Sequence, residues 1–394
     1  SNIGSYNYAF QYATGSGYMY AMDGSNANGA TGYALSNLGD TNAKWETTKM
    51  FNVGLDLTLF RNLTTTFDFY VKTTSDMLTS APWSAQVGTA TKPNVNIGNM
   101  RNTGWDWSIS WRQRTGDWNY NLSFNLSQYK NKVTKLPAGD IYSSTRLSDV
   151  NKTTVGQPVG MFYGYVVDGI YKSEEDVLNY PSLPFGVTDA ASLNAKSFVG
   201  RYKIKDVSGD GKITGADKTI IGNPHPDFTG GFNASVTWKN FDLSTYLYFS
   251  LGNDIFAMYQ YYTLFGSLNS NVTYTRLNNS WDPVTNPNGK YPMWLGVGKD
   301  GTEAKDQANS QYVQDGSYLR MQTLTLGYTL PTKLVKKINL SKVRFYLQAS
   351  NVFTITGYEG LDPEVRSGSD LSKGVDYGSY GMPRQFIFGV NVNF

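Results

Sequence analysis

The 394-residue chain contains no cysteine and a single histidine. Zinc sites built on thiolates or several imidazoles are excluded, as is any cysteine nucleophile. His225 sits between two prolines in NPHPDF, where a turn residue is a simpler account than a catalytic base. Missing disulfides say little about compartment, because many exported proteins do without them. No run of about eighteen apolar residues occurs, and mean hydropathy is −0.40, so no membrane-spanning helix is expected. A barrel of strands stays open, since its alternating lipid-facing and inward residues leave the average hydropathy unremarkable. Neither charge sign dominates, with 34 Lys plus Arg against 31 Asp plus Glu, so the chain lacks the basic field that nucleic acid requires. Its first residues, SNIGSYNYAF, carry no signal-peptide pattern; the N-terminus of an exported protein is then expected outside this chain.

What the chain has is aromatic side chains, glycine and period-two patterning. There are 29 Tyr, 20 Phe, 9 Trp and 40 Gly, a mixture that suits pleated strands joined by turns. In DWNYNLSFNLSQYK, Trp118, Tyr120, Leu122, Phe124 and Leu126 share one face, while Asn119, Asn121, Ser123 and Asn125 share the other. WDWSISWR repeats the rule with Trp105, Trp107, Ile109 and Trp111, and RTGD links the two as a hairpin. Val53, Leu55, Leu57 and Leu59 precede Phe67, Phe69 and Val71 in a second hairpin; Phe232 to Trp238 and Phe241 to Phe249 form a third. LTLGYTL, VRFYLQ and the terminal QFIFGVNVNF continue the pattern, and none of these apolar faces carries a charge.

These stretches are longer than ordinary soluble strands and close to the nine to eleven residues, roughly, that a tilted strand needs to cross a bilayer. Tight turns at 60–62, 115–117 and 239–240, with the modest 331–341 link, alternate with long segments near 74–102, 131–228, 252–316 and 354–384. Following the chain up and down puts every tight turn at one end and every long segment at the other, the layout of outer-membrane barrels. Nine clear strands and a weaker one in SYNYAFQY predict an all-β, transmembrane antiparallel barrel of about ten strands. Loops that outweigh the strands belong to wide, plugged barrels, so this is expected to be part of one. The competing reading is a soluble sandwich, whose two sheets would cover each other's apolar faces.

DVSGDGKITGAD, residues 206–217, is the sharpest local motif. As a Ca2+ loop it offers Asp206, Ser208 and Asp210, the turn glycine Gly211, the Lys212 carbonyl and Asp217. It departs from the usual pattern in Ser208, in the short Asp217 and in having no flanking helix pair. A plain Asp/Gly turn is the alternative. Any ion there would order an external loop and take no part in catalysis. Asp362 and Glu364 in LDPEV resemble a glycosidase pair only in being two acids in one loop. Trp83, Tyr259, Tyr261, Tyr262, Phe265 and Trp294 lie in the long segments and could stack on a substrate, although packing of loop on loop is favoured. No nucleophile with its base, and no metal triad, points to an enzyme.

NIGNMRNTGWDWSISW (96–111), VGQPVGMFYGYVVDGIYKSEED (155–176), 202–244, DGSYLRMQTLTLGYTLP (315–331) and SNVFTITGYEGLDPEV (350–365) together resemble the C-terminal barrel region of the SusC/RagA family. That family comprises TonB-linked outer-membrane transporters of Bacteroidota. The resemblance implies a 22-stranded barrel filled by an N-terminal plug, energised by TonB and covered by a SusD-like surface lipoprotein. It implies import of a nutrient oligomer, oligosaccharide ahead of oligopeptide, without covalent chemistry. Phe394, ending an alternating strand, is similar to the family's assembly signal. The whole span 1–394 corresponds to the last two-fifths of a member, with plug and N-terminal strands expected on another segment or chain. A soluble or surface-attached β-rich glycan-binding protein is the alternative function.

Overall fold

The computed structural model describes residues 8–14, 20–21, 29–30, 32–80, 94–136, 139–265, 271–294 and 304–394. Nine strands form one antiparallel sheet: β1 (Thr47–Leu59), β2 (Leu63–Ser80), β3 (Asn94–Thr115), β4 (Trp118–Lys135), β5 (Phe228–Trp238), β6 (Phe241–Leu251), β7 (Tyr318–Thr329), β8 (Lys342–Thr356) and β9 (Gln385–Asn393). They pair in strict chain order from β1 to β9. Gln11–Thr14, which overlaps only the last two residues of the weaker candidate, pairs instead with Tyr33–Asn37 in a separate two-stranded ribbon.

Register aligns the apolar rows across strands. Ile109 faces Phe124, Phe124 faces Phe232, Phe232 faces Leu247, Leu247 faces Met321 and Met321 faces Phe353. Closer to the tight turns, Trp118, Trp238, Phe241, Tyr328 and Phe345 make a continuous aromatic row. Trp118 and Trp238 stack at 5.4 Å, and Phe241 meets Tyr328 at 4.7 Å. This row has the character of the interfacial girdle that flanks a lipid-facing band. Among the described residues no layer covers the apolar rows: Phe67, Leu243, Leu326, Leu347 and Phe388 stay exposed, Phe388 at 71%.

Two strands run further than the patterning indicates. Residues 74–80 and 94–102, read as loop, belong to β2 and β3. A bulge between Thr74 and Met77, with Asp76 at φ 57°, shifts the register there, and one extra residue reverses which face each side chain occupies. A period-two scan therefore stops where the strand does not.

The links β4–β5, β6–β7 and β8–β9 fold together beyond one end of the sheet. Thr219–Gly222, Met161–Gly164, Ser148–Thr153 and Ile141–Thr145 form a four-stranded sheet in that spatial order. Its core joins Phe162, Tyr202, Phe256, Phe265 and Tyr312, all nearly inaccessible to water. Backbone bonds from Phe256 N to Gly374 O, from Tyr165 N to Ala308 O and from Asp376 N to Phe256 O stitch the three links into one body.

Candidate functional site

The face of the sheet opposite the apolar rows is polar, and the loop body seats on its far end. Asn125, Asn233, Thr325 and Gln348 lie on this face, as do Asp56, Asp68 and Asp106. Asp242 on β6 and Arg344 on β8 reach across β7 in a two-point ion pair, with Nε–Oδ1 2.9 Å and Nη2–Oδ2 2.5 Å. Gly327 lies between them, where a Cβ would collide with both side chains. Tyr346 likewise lies over Gly389, a close packing of ring on bare backbone that pins register.

At the loop end, Arg320 of β7 is buried and holds three partners. Its Nη2 meets Asp362 at 2.5 Å, its Nη1 meets Glu364 at 2.8 Å and its Nε donates to Thr354 at 3.0 Å. Asp362 also accepts from the amides of Met382 and Glu364. Burial works against its charge, but these N–H groups and the guanidinium outweigh it and hold the carboxyl below its usual range. A glycosidase acid needs the opposite shift, so the LDPEV pair is an anchor for the last long link. Sequence patterning missed this clamp, because its partners lie 34 to 44 residues away and no local pattern joins them.

Above the polar face a cleft of about 290 Å³ opens between Tyr129, Tyr248, Tyr318, Glu364, Lys373 and Asp254. Asp254 accepts from Asn223 N, and burial pushes its carboxyl above the usual range. His225 closes one side of the loop seat. Its Nε2 lies 2.7 Å from Val159 O and its Nδ1 3.2 Å from the Tyr129 hydroxyl, so one ring nitrogen donates and the other accepts. Burial lowers its pKa, and Lys373 adds to that effect.

The aromatic candidates divide. Tyr259 begins the short helix Tyr259–Thr263, and Tyr261 and Tyr262 pack half-buried against the loop core that contains Phe265. Trp294 lies 5.5 Å from the Arg276 guanidinium, which is itself buried. They are not gathered around the cleft, and Trp83 lies outside the described residues. In 206–217, Asp206 accepts from Gly209 N and Gly211 N, and Asp210 from Lys212 N. Asp217, fully buried, accepts from Val207, Ser208 and Thr214 N. Burial opposes its ionisation, yet those bonds hold the carboxyl below its usual range. Ser208 Oγ lies 3.2 Å from Asp206 Oδ1. Three carboxylates of the Ca2+ reading, Asp206, Asp210 and Asp217, thus accept from amides of the same turn. Among the described residues no three His, Cys, Asp or Glu converge as metal ligands.

A family model described as TonB dependent receptor-like, β-barrel matches residues 2–248. The TonB-dependent receptor P3 of Formosa agariphila is 36% identical over 392 residues, covering 95% of this chain and 37% of that protein. The TonB-dependent receptor SusC of Bacteroides thetaiotaomicron is 30% identical over 364 residues, covering 90% of this chain and 32% of that protein. The chain therefore spans roughly a third of the length of these curated relatives. Among solved structures, the RagAB peptide transporter matches with TM-score 0.77 at 25% identity, over 100% of this chain and 39% of that chain.

Proposed function

We propose that this chain, which belongs to the TonB dependent receptor-like β-barrel family, forms part of the wall and the outward loop body of an outer-membrane nutrient importer. The observation that carries the reading is the uncovered apolar belt, in register across nine strands, on a sheet whose other face is polar and capped. In water such a belt is a liability; against hydrocarbon it is the required surface. The alternative, a soluble or surface-attached glycan binder, would leave these rows wet. The sheet's two outer strands need further partners in lipid, because an unpaired backbone group there costs several kcal/mol. The rest of the barrel, with a plug, would supply them.

Import would proceed by capture of an oligosaccharide or oligopeptide above the polar face, beneath a SusD-like lipoprotein, followed by TonB-driven release inward. The likeness to SusC and to the RagAB peptide transporter supports this division of labour and keeps both polymers as substrate classes. Residues of this chain bind and orient; no bond is made or broken. Deletion of the coding region, followed by growth on defined glycans and on defined peptides as sole nutrient, tests the reading. One class should fail to support growth and recover on complementation. Undiminished growth and uptake on every oligomer tried would remove the transport proposal.

A further inference from the structure

We propose that the outward face of β1–β4, at its loop end, binds the phosphate groups of outer-leaflet lipid. The inference rests on the membrane orientation proposed above. Lys49, Arg101 and Lys132 lie in one cross-strand row through Thr73, and Lys130 lies beside it, opposite Thr103. Their side-chain parity is that of Val53, Trp105 and Leu126, so they share the lipid-facing surface. All four are exposed, and among the described residues none has a carboxylate partner.

The acids of these strands are sorted by face, whereas the bases are not: Lys72, Arg112 and Arg114 lie on the polar surface. Below the bulge, every acid of β1–β4, namely Asp56, Asp68 and Asp106, lies on the opposite, polar surface. The outward loop ends of β5–β8 carry Phe228, Leu251, Leu319 and Ile355 instead, so the basic patch is local and is not a ring around the wall.

Depth fits a headgroup. From Trp118 in the aromatic row to Lys130, a strand rising about 3.3 Å per residue at a tilt near 40° climbs roughly 30 Å. An apolar band about 25 Å tall then ends just below Lys130. From Leu59 to Lys49 the climb is about 25 Å, at the band's edge, where long cationic side chains reach outward to the interface. Arg101 adds a planar fork suited to two phosphate oxygens, beside the point charges of the lysines. Four cations on a lipid-facing surface, without an acid partner among the described residues, match a phosphorylated headgroup.

The test uses the assembled transporter purified in detergent. Phosphorylated glycolipid extracted from the same membrane is titrated onto the wild type and onto the K49Q/R101Q/K130Q/K132Q variant, with its dephosphorylated form as comparator and native mass spectrometry as readout. Each basic residue near an anionic surface contributes enough attraction that the variant should bind about tenfold more weakly or worse. Dephosphorylation should weaken wild-type binding similarly, while K333Q/K336Q/K337Q, at the tight-turn end, should not. Equal binding by wild type and quadruple variant overturns the proposal, as does a change of oligomeric state without loss of lipid, which would make the patch a protein interface. Orientation is read separately. The chain has no cysteine, so Ser192→Cys gives a unique thiol on this chain for a membrane-impermeant maleimide on intact cells. Labelling with unchanged lipid binding sinks only the patch; absence of labelling sinks the orientation and the patch with it.

Discussion

At the scale of the residue, the clearest consequences come from buried charge and its partners. Removing Arg320 leaves Asp362 deeply placed beside Glu364 without the guanidinium that holds both. Arg320→Met should cost about 3 kcal/mol, the low end for orphaning a buried charge, because Glu364 is partly exposed. The loss should concentrate in 357–384, read as faster hydrogen exchange there while β4–β6 stay unchanged; uniform behaviour across the sheet would refute the anchor role. Asp217→Ala should destabilise the 206–217 turn by about 1 kcal/mol, leaving the amides of Val207, Ser208 and Thr214 without their acceptor. Chelator should leave the wild-type turn's protection unchanged if the amides alone hold it, and a chelator-induced loss of protection would support the Ca2+ reading. His225 titrates with a definite sign. Its folded pKa lies below the unfolded value, so the unfolded state binds more protons as pH falls, and stability is lost from the ordinary histidine range downward. Protection factors around 159 and 225, with the intrinsic pH dependence of exchange divided out, should fall below about pH 6.5. His225→Gln should flatten that slope, and an equal slope in the variant would assign it elsewhere.

At the scale of the element, each strand is defined by two unlike faces. Phe232 and Asn233 are adjacent in β5 and point to opposite sides. Phe232→Arg places a cation in the apolar belt and should cost about 2–4 kcal/mol if hydrocarbon covers it, whereas Asn233→Arg on the polar face should stay within about 0.5 kcal/mol. Refolding into vesicles at graded urea measures both, and equal costs would mean that the two faces share one solvent. The faces themselves were legible in the sequence, since Trp105, Trp107, Phe124 and Phe232 repeat at period two without a charge. The ends of β2 and β3 were not. Asp76 adopts a left-handed φ and inserts one residue into the ladder, which breaks the period while the hydrogen bonding continues.

At the scale of the molecule, the sheet's two outer strands decide what surrounds it. β1 and β9 are each bonded within the sheet on one side only, among the described residues. In a lipid-embedded wall both must pair again, so the amides of 385–393 should exchange as slowly in the native transporter as those of β5. Fast exchange along one side of β9 would contradict closure. The loop body has a different logic. Its core unites side chains from three links, and the Arg320 clamp joins residues 42 positions apart, so neither follows from any local pattern.

The sequence alone determined the alternation, the chemistry excluded by absent cysteines and scarce histidine, and the sidedness of short and long connections. Each depends on composition or on neighbours a few residues apart, where strand geometry leaves one choice. Only the tertiary structure decided that the apolar rows meet no second layer among the described residues, that the Asp/Gly motif turns its carboxylates onto its own amides, and that Asp362 and Glu364 serve an arginine. These depend on which distant surfaces come together, and the energy that selects among such pairings belongs to the whole fold.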